Sequence, residues 1–278
     1  MSLFVGLILP EARATESVAM VTDLEGKAEL TQGNKKSGLS ILSDIKLDAQ
    51  MKLEAGARTA AVYLKSGQEY EFKGPALIQF NADKPVVLDG AKPQQRGVAL
   101  AKGGKEIRIK PVVVAQAAIV MRSVGASMKL KLLSLSGTKT LEARPVFRWQ
   151  EPQRGLKYEF ELLDEAGKKI YQASLKDSSI TLPANVQLNE STEYTWVVST
   201  VLADGGKYSN AGDFSLASNE LRAEMKSLAP DVDATLSDRV VYATWLEQVE
   251  LRDEARKYWR AIAAERNGDL RLKVMAGD

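Results

Sequence analysis

The sequence predicts a mainly β chain that ends in a short α-helical tail, and three patterns lead there. From Val18 to about Met128, short runs of alternating apolar and polar residues are closed by glycines, with no helix-length periodicity. From Leu130 to Ala217, strand-length segments follow one another with hairpin turns between them, as in a two-sheet sandwich. From Ser218 the apolar period becomes helical. The expected organisation is a secretory leader over 1–14, a β domain over 15–128, a β-sandwich over 129–217 and a helical tail over 218–278.

The opening "MSLFVGLILPEARA" holds an apolar run from Leu3 to Leu9, then Pro10 and a small-x-small ending at Ala12-Arg13-Ala14. That is the pattern of a secretory signal cut before Thr15. It lacks the basic segment that normally opens a signal, so the expectation is a leader truncated upstream; the alternative is an apolar N-terminal extension. No other stretch approaches the ~20 apolar residues of a membrane helix, so no membrane span is expected in the mature chain.

Composition closes several classes of function. The 38 basic and 36 acidic side chains of the 278 residues nearly cancel, so the chain has no net field to hold nucleic acid, and no nucleic-acid partner is expected. With no cysteine there are no disulfides, thiolate nucleophiles or soft metal sites. With no histidine, the usual proton shuttle near neutral pH and the commonest zinc ligand are missing too. Carboxylate or Ser/Lys chemistry stays open, as does binding without chemistry.

In the first β domain the stretch "GARTAAVYLKSGQEYEFKGPALIQF", residues 56–80, sets the pattern. Val62 and Leu64, then Tyr70 and Phe72, then Ile78 and Phe80 are expected on the core face, with Lys65, Glu69, Glu71 and Lys73 on the wet face. Gly56, Gly67 and Gly74 fall where the chain must reverse, positions that often require positive φ. Further on, "AKGGKEIRIK" lines up Lys102, Lys105, Arg108 and Lys110 against inward Ile107 and Ile109. These four form a candidate interaction surface for an anionic glycan or headgroup, or else a charged edge strand that discourages sheet-to-sheet aggregation.

The phrases "VTDLEGKAEL" and "GLSILSDIKLDAQMKLEAGARTAAVYLKSGQEYEFKGPALIQF" resemble the FecR domain of bacterial envelope proteins over about residues 18 to 125. Gly26, Leu42, Ile45, Gly56, Val62, Leu64 and Gly67 occupy the matching places; Ser66 stands where Asp is usual and Ser43 where Gly is usual. The resemblance implies a FecR-like β-solenoid/sandwich domain, a compact stack of short strands used for protein contact in the periplasm. It brings no catalytic residues.

The second unit is read from "PVFRW", "LKYEFELLDEAGKKIYQASL", "SSITLP" and "TEYTWVVSTVLADGGKYSNAGDFSL". Turns are expected at Asp164-Glu165-Ala166-Gly167 and at Asp204-Gly205-Gly206. Trp149, Tyr158, Phe160, Leu162, Trp196, Val198 and Phe214 alternate with polar neighbours and should form the centre. The unit resembles a fibronectin type III-like module. Its cue is Leu188 followed at even spacing by Thr192 and Tyr194, the loop in which a tyrosine hydroxyl ties down the chain; Glu190 stands where proline is usual.

Three helices are expected after Ser218: Asn219 to Leu228, ended by Pro230; a second capped by Ser237; and Arg252 to Arg266, closed by Gly268. In the third, Leu251, Ala255, Tyr258, Trp259, Ile262 and Ala263 make one apolar stripe, with Asp253 and Lys257 paired on the wet side. "VVYATWLEQVELRDEARKYWRAIAAERNGD" resembles one tetratricopeptide-like helical pair, with Ala243, Leu246, Ala255 and Trp259 in its places and Asn267 for the closing proline. A single pair is no solenoid, since stacking needs at least ~3 repeats. It should pack on the sandwich or cap another chain.

Three constellations have spacings that bear on chemistry. "DVDATLSD" starts like a calcium loop but has Leu236 at the glycine position and Tyr242 at the bidentate glutamate position, so helix-capping acids are expected instead. Ser136-Gly137-Thr138-Lys139 has the Ser-x-x-Lys spacing of acyl-transferring serine enzymes, but it lies between predicted strands and no Lys-Thr-Gly follows. Gly103-Gly104-Lys105 is followed by Glu106 where a phosphate loop needs Ser or Thr. No catalytic, cofactor-binding or metal site is therefore expected. Trp149, Trp196, Trp245 and Trp259 all lie on apolar faces, which favours core packing over a sugar platform.

The functional expectation is a non-catalytic periplasmic interaction or scaffold protein whose partners are other envelope proteins. The alternatives are attachment to peptidoglycan or another anionic envelope glycan, and an accessory part in FecR-type envelope signalling. The resemblance implies a cytoplasmic segment and a membrane span for direct sigma-factor regulation; residues 1–17 do not read as either, so that role is not expected.

Overall fold

A computed structural model describes residues 16–98, 100, 130–203 and 205–277. The leader over 1–14 and the basic strand with Lys102, Lys105, Arg108 and Lys110 lie outside these residues. The chain divides after Val98 into two compact units.

The described residues of the first unit form ten short strands in two antiparallel sheets. One sheet runs β10(Gln94–Gly97), β7(Gln68–Lys73), β6(Arg58–Tyr63), β1(Ser17–Glu25), β4(Asp44–Lys46). The other runs β3(Lys35–Gly38), β2(Ala28–Gln32), β5(Gln50–Leu53), β8(Ala76–Phe80), β9(Pro85–Asp89). One core joins them: Val21, Ile45, Ala61, Tyr63, Tyr70 and Phe72 from the first sheet meet Leu30, Met51, Leu53, Ile78 and Phe80 from the second. The Tyr63 ring stacks on Phe80 at 6.2 Å, and its hydroxyl donates to the Asn81 carbonyl at 3.1 Å. Burial pushes that phenol well above its ordinary pKa.

The face assignment along β6 is corrected by one residue. Ala61 and Tyr63 carry the core, opposite Tyr70 and next to Phe72, whereas Val62 is buried on the other face, paired with Glu69. Glu69 is accordingly not on a wet face. It is 5% exposed and takes a bidentate contact from the Arg96 guanidinium, at 2.6 and 3.3 Å. The outer side of this sheet is thus partly buried as well, which makes the β6 sequence "RTAAVY" apolar on both faces and hides its phase.

Of the three turn glycines, Gly56 and Gly67 have positive φ. Gly74 does not; a Cβ there would lie 1.9 Å from the Glu54 carbonyl oxygen. Close approach of two backbones, not left-handed geometry, requires glycine at that position.

The second unit holds the sandwich strands and the helices together. β11(Thr138–Thr140) lies parallel to β17(Lys207–Leu216), and the sheet continues antiparallel through β16(Glu193–Val201), β13(Tyr158–Leu163) and β14(Lys169–Leu175). β12(Val146–Arg148) and β15(Ser179–Thr181) form a two-stranded sheet. Trp149, Tyr158, Phe160, Leu162, Trp196, Val198 and Phe214, the residues expected at the centre, are all in the core, with Phe147 wedged among them 4.9 Å from Phe160 and 5.3 Å from Trp196. The Tyr194 hydroxyl accepts from the Asn189 N–H at 2.8 Å, so the chain entering β16 is tied as the Leu188–Thr192–Tyr194 spacing suggested. At the turn after β13, Asp164 accepts from the N–H groups of Ala166 and Lys168, and Gly167 has positive φ.

Among the described residues four helices follow the sandwich strands: α1(Asn219–Leu228), α2(Leu236–Gln248), α3(Arg252–Glu265) and α4(Leu270–Ala276). α2 starts two residues earlier than expected. Thr235, not Ser237, is its cap: the Thr235 Oγ1 accepts from the Asp238 N–H at 3.2 Å and donates to the Asp238 carboxylate at 2.8 Å. On α3 the buried stripe is Ala255, Trp259, Ile262 and Ala263, as the spacing indicated. Its surface pairs differ: Asp253 meets Arg256 and Glu254 meets Lys257, each at 2.7 Å, three residues apart rather than four.

Candidate functional site

The Ser136-Gly137-Thr138-Lys139 tetrad sits at the sandwich edge where the α2–α3 turn arrives. The Thr138 hydroxyl donates to the Glu250 carbonyl at 3.0 Å and accepts from the Arg252 N–H at 3.1 Å. The Lys139 N–H donates to the same Glu250 carbonyl at 2.6 Å, and its ammonium pairs with the Glu250 carboxylate at 3.1 Å. Lys139 therefore points its charge into a structural contact. Glu250 is held at positive φ, the strained position of the turn, and these bonds keep it there.

The other end of the tail is fastened similarly. Arg222 on α1 donates to the Ala217 carbonyl and to the Leu141 carbonyl, and the Glu190 carboxylate takes both the backbone and side-chain N–H of Asn219, at 3.0 and 2.6 Å. Tyr242 on α2 donates to the Met225 carbonyl at 2.9 Å, joining α2 to α1. Its phenol is raised by burial between Trp245 and Tyr258, whose rings lie 5.7 and 5.0 Å away. Between α2 and α3 the Trp259 indole donates to the Glu247 carboxylate at 3.2 Å; burial holds that carboxyl above the usual range, offset in part by this bond, Arg252 and Arg256. Helices and sandwich are one framework.

Among the exposed large apolar side chains, two groups each lie together on one element, on α4 of the second unit and on β9 of the first. On α4, Leu270 and Val274, four residues apart and on one side, are 75% and 48% exposed, while Leu272 and Ala276 on the other side are buried. On the outer strand β9, Val86 and Leu88 are 38% and 49% exposed while Val87 packs inward. Neither surface was singled out by sequence. The α4 signal was legible: Asp269 caps the helix by accepting from the N–H groups of Arg271 and Leu272, and Gly277 closes it in left-handed geometry.

The remaining candidates resolve into structure or fall outside it. The four tryptophans are buried. Asp238 serves the cap of α2, and among the described residues no group of three or more carboxylates converges on a metal position. Lys102, Lys105, Arg108 and Lys110 lie outside the described residues, so the geometry assigns them no place. No described helix is long and apolar enough to cross a membrane.

No family model and no curated protein matches the chain. Among solved structures, the crystal structure of CopC from Methylosinus trichosporium OB3b is similar at 14% identity over 32% of this chain and 93% of that chain, with a TM-score of 0.24.

Proposed function

We propose that the chain is a non-catalytic interaction and scaffold protein of the bacterial cell envelope, working in the periplasm and binding other envelope proteins through β-sheet surfaces and the helical tail. The observation that carries this reading is the pairing of a fixed helical tail with an uncovered face on it. The α2–α3 turn is bonded to β11 through Thr138, Lys139 and Glu250, while Leu270 and Val274 on α4 remain open. A rigid frame that presents apolar side chains binds without first ordering them, which favours association. The FecR-like, fibronectin-like and tetratricopeptide-like phrases of the sequence support the same role and the same compartment.

The test is cross-linking in the native envelope followed by mass spectrometry, comparing the wild type with Leu270→Glu/Val274→Glu. The reading expects cross-linked protein partners that disappear in the variant. Recovery of the same partners from both, or labelling of Ser136 by a fluorophosphonate probe in the folded protein, would refute it.

A further inference from the structure

The larger sheet of the second unit carries a cleft of about 730 Å³ at the end where β16 turns into β17, closed on one side by the loop Gln153–Lys157. Register places its floor. Ser199 is paired with Glu159, and Val201 with Lys207, while Val198 and Thr200 point the opposite way into the core. Glu159, Ser199, Val201 and Lys207 therefore share the outer face of the sheet. Arg154 and Lys157 from the loop complete the lining with Lys207.

Among the described residues the lining of this cleft carries three cations, Arg154, Lys157 and Lys207, against one carboxylate, Glu159. Arg154, Lys157 and Lys207 are exposed, and none of them has an ion-pair partner among the described residues. The carboxylate in the lining, Glu159, already accepts a 2.6 Å bond from the Ser174 hydroxyl. Glu151 accepts from the Gly155 N–H at 3.3 Å and so braces the loop, and Thr200 donates to the Lys157 carbonyl at 2.7 Å, which fixes the loop's exit. Asp204, in the adjoining turn, lies outside the described residues. Between the cations lie the Ser199 hydroxyl, the Gln153 amide and an apolar strip formed by Val201 and Leu202; Val201 is more than half exposed.

We infer that this cleft is a binding site for an acidic saccharide. Carboxylate or phosphate groups on the sugar meet Arg154, Lys157 and Lys207 through charge-assisted hydrogen bonds, which are shorter and stronger than neutral ones. Ring hydroxyls meet Gln153, Ser199 and Glu159, and the C–H face of a ring lies on Val201. The lining has no aromatic side chain to stack a neutral sugar, so charge supplies most of the selectivity. This site is separate from the exposed face of α4 and does not depend on the protein-binding role.

The experiment titrates the full chain by calorimetry with trigalacturonate, glucose 6-phosphate and neutral maltotriose. Saturable binding of either acid, with maltotriose silent, is expected, and the acid that binds identifies carboxylate or phosphate as the preferred group. Arg154→Ser/Lys207→Ser should weaken it by about tenfold or more, since the loss of even one charged hydrogen bond accounts for about that factor. Raising the salt should weaken it too. Leu270→Glu/Val274→Glu should leave it unchanged, which separates this site from the docking face. Circular dichroism confirms that the cleft variant is folded. Absence of binding by both acids, equal binding of maltotriose, or undiminished binding by the folded cleft variant would overturn the assignment.

Discussion

Thr138 and Glu250 stand 112 positions apart in the chain and meet in a 3.0 Å hydrogen bond from the threonine hydroxyl to the glutamate carbonyl. The same hydroxyl accepts from the Arg252 N–H, so one buried side chain satisfies both sides of the α2–α3 turn. Thr138→Val keeps the shape and removes both bonds. It should lower stability by about 1–2 kcal/mol in urea unfolding, because the Arg252 N–H loses its acceptor while the Glu250 carbonyl keeps its bond from the Lys139 N–H. Amide exchange at the start of α3 should accelerate with it; unchanged exchange there would mean that the clamp does not hold the tail.

Gly212 permits a close contact in the sandwich core. The Trp196 indole donates to the Leu135 carbonyl at 2.7 Å, and a Cβ on residue 212 would lie 2.8 Å from that indole nitrogen and 2.9 Å from that carbonyl. Gly212→Ala should therefore destabilise by at least about 2 kcal/mol through overpacking and the displaced bond. A shift in tryptophan emission should accompany the loss. Emission and stability equal to wild type would show that the contact yields without cost.

Tyr194→Phe removes the acceptor of the Asn189 N–H and little else, because the ring still stacks on Phe214 at 5.6 Å. A loss of about 1 kcal/mol is expected in chemical denaturation.

Two carboxyls of the helical tail should respond to pH with opposite sign. Glu247 is held above its ordinary range by burial, so its stabilising contribution is present at low pH and is lost as pH rises through the raised folded value. Glu247→Gln keeps an acceptor for the Trp259 indole and should gain stability relative to wild type from pH 4 to pH 7. Glu265 is held below its ordinary range by the Arg239 guanidinium, so its contribution is present above the unfolded value and is lost as pH falls through the lowered folded value. Its side chain is nearly half exposed, and solvent screening limits Glu265→Gln to less than about 1 kcal/mol at pH 7. Urea midpoints measured between pH 3 and pH 7 decide both signs.

Legibility in the sequence followed how one-sided each element is. β13 and β16 alternate cleanly because one face is core and the other open, and Tyr158, Phe160, Trp196 and Val198 were placed from that alternation alone. β6 is buried on both faces, so nothing in "RTAAVY" distinguishes Val62 from Tyr63, and buried Glu69 meets Arg96, 27 positions away. Gly74 reads as a turn residue in sequence, while its real constraint is the Glu54 carbonyl brought close by folding. The Ser-x-x-Lys spacing could not reveal that Lys139 would face Glu250, because that meeting depends on how α2 and α3 return to β11. The basic cleft joins Arg154 and Lys157 to Lys207 across two strands, a grouping that only strand register creates.

The most direct measurement places a photo-activatable residue at Val274 on α4, at Val86 on β9 and, as a reference, at exposed Lys226 on α1, with illumination in the native envelope. An interaction scaffold predicts discrete protein adducts at Val274 or Val86 that are absent at Lys226 and, for the α4 probe, are abolished by Leu270→Glu. Adducts at none of the positions, or the same adducts at all three, would contradict it.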